Sequence, residues 1–191
     1  MAKKLSEMTL EELWKLFPIF LTEHRACWEE WYREEEKSLK TLLTQALRIS
    51  HIGSTAIDSI QAKPIIDILI EIPKECNLSD VRDLLTNNGY ICMHQDHNRI
   101  SLNKGYTEHG FADRVFHLHL RYPGDNDELY FRDFLIERPD IARQYEAMKL
   151  NLWKQYEYDR DAYTNAKSDF VKKYTKQAKL RYQNRYEPTG V

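Results

Sequence analysis

At 191 residues, with 42% hydrophobic and 30% charged side chains, the chain has the length and apolar content of one folded domain, not of a disordered polymer. Its net charge of −2 supplies no global field to recruit nucleic acid. No apolar run approaches the ~18 residues of a membrane span, and "MAKKLSEMTL" carries no apolar stretch of the signal-peptide kind. Cys27, Cys76 and Cys92 form no C-x-x-C pair and read as free thiols of a cytoplasmic protein.

Thr9 followed by Glu12 predicts a capping box and a short helix limited by Pro18. Thr22 then precedes a long amphipathic pattern. Ala26, Trp28, Trp31, Tyr32, Leu39, Leu42, Leu43 and Ala46 recur three or four apart, which predicts one N-terminal helix reaching about Ala46. "LRISHI" predicts a strand ending at Gly53, "STAIDSIQ" a short helix, and "PIIDILIEI" a second strand. Ser79 is expected to cap a helix that the Asn87–Gly89 triplet ends. "YICMH" predicts a short strand, followed by a loop or hairpin through Gly105 and Gly110, and then the alternating strand "DRVFHLHLR". From Asp125 the pattern turns helical: one helix stops at Pro139, a second is capped by Asp140, and a third carries Tyr163, Ala166, Phe170 and Tyr174.

The expected class is α+β: a small mixed sheet, a long N-terminal helix and a C-terminal helical cluster. It forms one domain over 1–191. Its core runs from about 23 to 175, with an N-terminal extension at 1–20 and a tail at 182–191. Charge is uneven. Residues 141–191 hold eleven Lys and Arg against six Asp and Glu, a solvated helix face or a surface for phosphates.

Strand alternation explains the aspartate among isoleucines. Ile66, Ile68, Ile70 and Ile72 share one face, which is core, while Ile65, Asp67, Leu69 and Glu71 share the other. Asp67 is therefore presented to something that favours an anion, with Leu69 beside it half-buried. In "DRVFHLHLR" the apolar Phe116, Leu118 and Leu120 alternate with His117 and His119, which point together. The two histidines face the same cleft as Asp67, and His51, just before the Gly-Ser turn, is a further candidate.

"HIGSTAI", "AKPIIDI", "HLHL", "FRDFL" before Pro139, and Tyr145–Lys149 as Tyr-x-x-x-Lys together resemble the GrpB family over roughly residues 23–171. The Gly-Ser pair with a following strand aspartate is similar to the core of the nucleotidyltransferase superfamily, which contains DNA polymerase beta. The resemblance implies a nucleotidyltransferase-like fold and brings no assigned reaction with it. Some GrpB proteins are joined to a dephospho-coenzyme A kinase, but this chain has no G-x-x-x-x-G-K loop.

The resemblance implies a site in which Gly53, Ser54 and Thr55 cradle phosphate and Asp67 holds a divalent cation, Mg or a transition metal. By the strand alternation, and not by the resemblance, His117 and His119 are expected to complete that site or act as base, with His51 as a further candidate ligand. Lys63, Arg99 and Arg114 are further candidates for phosphate. Where the superfamily carries a second acid two residues after the first, this chain has Leu69. Glu71 is no substitute, because four residues along a strand span ~13 Å.

Three functions remain open. One is metal-assisted transfer of a nucleotidyl group from a nucleoside triphosphate to a small acceptor. Another is a degenerate module that binds a nucleotide or small phosphorylated ligand without turnover. A structural or partner-binding domain is the third. A near-neutral pI of about 6.4 argues against a large nucleic-acid acceptor.

Overall fold

A computed structural model describes residues 3–187. The elements in chain order are α1 (Leu10–Leu16), α2 (Cys27–Leu42), β1 (Arg48–Ile52), β2 (Ile66–Glu71), α3 (Leu78–Thr86), β3 (Ile91–Gln95), β4 (Arg99–Thr107), β5 (Gly110–Arg121), α4 (Asp127–Glu137), α5 (Pro139–Tyr156), α6 (Arg160–Ala166) and α7 (Ser168–Tyr182). The strands form one sheet in the order β1-β2-β5-β4-β3. β2 and β5 run parallel and the other neighbours antiparallel. The architecture is α+β with a mixed sheet, as the element pattern predicts.

The two faces of β2 and β5 have different partners. Ile66, Ile68 and Ile70 with Phe116, Leu118 and Leu120 pack against Trp28, Tyr32 and Leu39 of α2 and Val81 and Leu85 of α3. Each such side chain stabilises by about 1.5–3 kcal/mol on burial, so this layer anchors the sheet. The opposite face is covered by α4–α7, whose own core joins Tyr130, Phe134 and Leu135 to Tyr145 and Tyr174. The site lies between this second face and the helical cluster.

Several elements depart from expectation. The long helix begins at Cys27 rather than after Thr22, because Thr22 exchanges two backbone hydrogen bonds with Ala62 and is held extended. It ends at Leu42. "STAIDSIQ" yields only one 3₁₀ turn, Ser54–Ala56. Asn77 caps α3, accepting from the Ser79 amide at 2.8 Å, while Ser79 Oγ accepts from Gln95. Asp140 does not cap α5. The helix opens with Pro139, whose missing N–H suits the first position, and Asp140 pairs with Arg138. Of the loop or hairpin expected through Gly105 and Gly110, the structure has the hairpin: the nine-residue strand β4 pairs antiparallel with β5, Thr107 opposite Gly110. The third C-terminal helix is two, α6 and α7, meeting at Lys167.

Residues at both ends pack into the fold. Phe17, Ile19 and Leu21 are buried, and the Ile19 amide donates to the Glu157 carbonyl. Tyr186, within the expected tail, donates through its hydroxyl to Asp133 and accepts through its carbonyl from Asn126. Residues 1–2 and 188–191 of the expected extension and tail lie outside the described residues.

Candidate functional site

The strand registers bring Asp67 opposite His117 on β5 and opposite Ile52 on β1. Residues in register share a face, so Asp67, Leu69, His117 and His119 point together, as alternation predicts. His117 Nδ1 lies 3.4 Å and His119 Nε2 3.3 Å from the same oxygen, Asp67 Oδ1. Gly53 makes room for this carboxylate. Its φ of +72° suits glycine, and a Cβ there would stand 2.5 Å from Asp67 Oδ2.

A hydrogen-bond relay fixes the first histidine. Arg160 Nη1 donates to the Tyr106 hydroxyl at 2.8 Å, and that hydroxyl lies 2.8 Å from His117 Nε2. Arginine cannot accept, so the tyrosine proton turns to Nε2. The imidazole proton then sits on Nδ1 and points at Asp67. Burial pushes the pKa of His117 down, which keeps the ring neutral despite the neighbouring aspartate. For Asp67 burial acts upward, but the hydrogen bonds from His117 and His119 outweigh it and hold the carboxyl well below the usual range.

Around this one carboxylate gather four cations. Lys63, Lys149, Arg160 and Lys167 line a cavity of about 360 Å³ together with Asp67, His117 and His119. Burial and then Arg160 and Lys167 lower Lys63 to about 7. Burial and Lys167 lower Lys149 to about 7, and burial lowers Lys167 to about 8. Lys149 Nζ donates to Ser54 Oγ at 3.0 Å and to the Gln61 carbonyl. Lys167 Nζ stands 4.1 Å over the Tyr163 ring. A group of positive charges this poorly compensated favours an anion. Gly53, Ser54, Asp67, His119 and Lys167 also line a second cavity of about 830 Å³, whose apolar wall includes Ile57, Phe131 and Val171.

Other expected site residues stand elsewhere or are already engaged. His51 is in register with Ile68 and so lies on the opposite face, stacked on Tyr32 and 3.0 Å from Thr55 Oγ1. It cannot join Asp67. Arg114 belongs to the Phe116 face, where it pairs with Glu34 and covers Trp31. Arg99 borders the larger cavity but is held by Asp125 through two 2.6 Å bonds. Thr55 lines the smaller cavity, yet its hydroxyl donates to the Ile65 carbonyl. The 3₁₀ turn at Ser54 is too short to present a helix end to phosphate. Leu69 is fully buried against Ile52 and Leu129, not half-buried.

The residues do not fit a divalent cation held by the protein alone. Among the described residues no group of three or more His, Cys, Asp and Glu is arranged to hold a metal. Both imidazoles address one carboxylate oxygen, His117 Nε2 is taken by Tyr106, and four cations surround the set.

Nothing in the sequence pattern singles out Arg160, Lys167 or Tyr106 individually, and Tyr145 and Lys149 stand out only as the Tyr-x-x-x-Lys motif. One signal was present: Tyr163–Lys167 repeats the Tyr-x-x-x-Lys spacing of Tyr145–Lys149. On a helix that spacing puts ring and amine on one side, and here both pairs face the cavity.

Comparison with known proteins places these features in a family. A profile described as GrpB protein matches residues 18–177. The chain is 32% identical to the glutamate-rich protein GrpB of Alkalihalophilus pseudofirmus, over 80% of this chain and 91% of that one. It is 32% identical to protein YqkA of Bacillus subtilis over 85% of this chain but 48% of that longer one. A dephospho-CoA kinase of Mycolicibacterium paratuberculosis is 26% identical over 75% of this chain and 42% of its own. The crystal structure of a GrpB protein from Enterococcus faecalis superposes with a TM-score of 0.71 and 33% identity, covering 85% of this chain and 99% of that one.

Proposed function

The chain belongs to the GrpB family, and from that premise and the geometry of its site we propose that it binds a nucleotide and transfers the nucleotidyl group to a small acceptor. The observation that carries this reading is the convergence of Lys63, Lys149, Arg160 and Lys167 on one cavity that contains a single carboxylate. These cations are matched to a polyphosphate, whose charge they neutralise in a partly dehydrated setting. The larger adjoining cavity, with Phe131 on its wall, has room for a base and sugar.

Asp67 and His119 lie where the two cavities join. Here the phosphate to be attacked meets the acceptor. His119 takes the acceptor's proton, and Asp67, ionised and held by His117, stabilises the resulting imidazolium. The close approach of Gly53 to Asp67 supports the nucleotidyltransferase resemblance.

Calorimetric titration with each of the four ribonucleoside triphosphates, and with inorganic phosphate, tests the reading. A triphosphate is expected to bind, and Lys149→Met or Lys167→Met to weaken it at least tenfold. Absence of binding, or binding indifferent to both substitutions, refutes it.

A second reading, binding without turnover, is favoured by Leu69. The position of the second acid is filled by a side chain packed between Ile52 and Leu129. Release of pyrophosphate during incubation with candidate hydroxyl acceptors separates the two.

A further inference from the structure

Lys63 differs from the other amines of the cavity. Lys149 is committed to Ser54 and Gln61, and Lys167 sits close over Tyr163. Lys63 Nζ has no hydrogen-bond or ion-pair partner among the described residues and lies 5.6 Å from the Tyr163 ring centre. It is half-buried and lines the cavity that holds Asp67, His117 and His119. Its backbone is held on both sides. Ala62 is tied to Thr22 by two hydrogen bonds, and Pro64 follows, restricting the residue before it. A segment held on both sides thus delivers an unpartnered amine to the cavity that the carboxylate lines.

Resting on the nucleotide reading above, we propose that Lys63 is the covalent nucleophile of this site, forming a lysyl-nucleotidyl intermediate through which the group passes to its acceptor. In the first step the neutral amine's lone pair forms an N–P bond at the α-phosphorus of a nucleoside triphosphate. The bond from that phosphorus to the bridging oxygen breaks, and its electron pair leaves with pyrophosphate. The amine proton passes to His119. In the second step the acceptor hydroxyl attacks the same phosphorus, the N–P bond breaks with its electron pair returning to the amine nitrogen, which takes up the proton held on His119, and the proton of the acceptor hydroxyl passes to His119 in its place.

The surroundings suit both halves. The remaining cations, Lys149, Arg160 and Lys167, receive the charge of the departing pyrophosphate. Burial, and then Arg160 and Lys167, bring Lys63 to about 7, so a useful fraction is neutral near neutral pH. A covalent lysine route also makes sense of Leu69, since the paired carboxylates of a direct two-metal transfer are not needed.

The test is direct. The natural protein is incubated at pH 8 with each ribonucleoside triphosphate, magnesium and a pyrophosphatase to remove the leaving group. Intact mass and peptide mapping follow, and binding is measured in parallel by calorimetry. One nucleotidyl group on Lys63, stable to alkali, labile to acid and reversed by pyrophosphate, is expected. Lys63→Arg is expected to abolish it, and Lys63→Cys converted to S-aminoethylcysteine to restore it. Triphosphate binding without an adduct, or an adduct on another residue, overturns the proposal and leaves the binding reading intact. Failure of every triphosphate to bind overturns both.

Discussion

Replacing Gly53 with alanine separates two penalties that meet at Asp67. Gly53 has φ +72° and ψ −171°, a region open almost only to glycine, and holding another residue there costs about 1–3 kcal/mol. The new Cβ also meets Asp67 Oδ2 at 2.5 Å, closer than any carbon–oxygen contact allows. The carboxylate must then leave Oδ1's position 3.3–3.4 Å from His119 and His117. Loss of charge-assisted hydrogen bonds of this kind costs on the order of 1.5–3 kcal/mol. Gly53→Ala is therefore expected to destabilise the protein by about 2.5–6 kcal/mol in all. In an Asp67→Ala background the collision partner is gone and only the backbone strain remains, about 1–3 kcal/mol. Urea unfolding of the natural protein, the two single variants and the double variant gives the coupling, expected near 2 kcal/mol. Additivity within about 0.5 kcal/mol, with unchanged m-values, would refute the claim that Gly53 exists to seat this carboxylate.

Leu69→Asp buries an unpaired charge between Ile52 and Leu129 and is expected to cost at least about 3 kcal/mol. Leu69→Met should cost less than ~1.5 kcal/mol, and equal denaturation midpoints for the two would contradict the packing described. Tyr106→Phe breaks the relay from Arg160 to His117. It should cost about 1–3 kcal/mol and move the His117 titration seen by NMR; an unmoved titration would show the relay to be idle. The lowered lysines make stability and affinity respond oppositely to pH. Lys63 and Lys149 titrate near 7 when folded against 10.5 as the ordinary value. Between these pH values the unfolded chain holds protons that the folded chain lacks, so ligand-free stability gains from these groups as pH rises from 7 toward 10. Phosphate binding needs Lys149 and Lys167 charged and should weaken over the same range. Thermal melts with and without phosphate at pH 6 to 9 test this, and stabilisation by phosphate that grows with pH would exclude the lysines as its ligands.

Local patterns in the chain carried much of this. A period of two along β2 and β5 puts Asp67, His117 and His119 on the face opposite the isoleucines, because successive strand residues alternate sides whatever else surrounds them. Thr9 and Glu12 form their capping box through contacts three residues apart. Other features depended on partners distant in the chain. Whether His51 or Ile52 shares the side of Asp67 is decided by the β1–β2 register, and one residue of slip would exchange them. The start of α2 is set by the bridge from Thr22 to Ala62, forty residues away. Leu69 is sealed by Leu129 of α4, which alternation alone does not place. The cationic cavity draws Lys63 from the segment before β2, Lys149 from α5, Arg160 from α6 and Lys167 from the junction with α7. In the sequence these are ordinary charges scattered over a hundred positions. Only when the helices pack across the sheet do they lose water together, and that shared loss of solvent, with one carboxylate among them, makes a site.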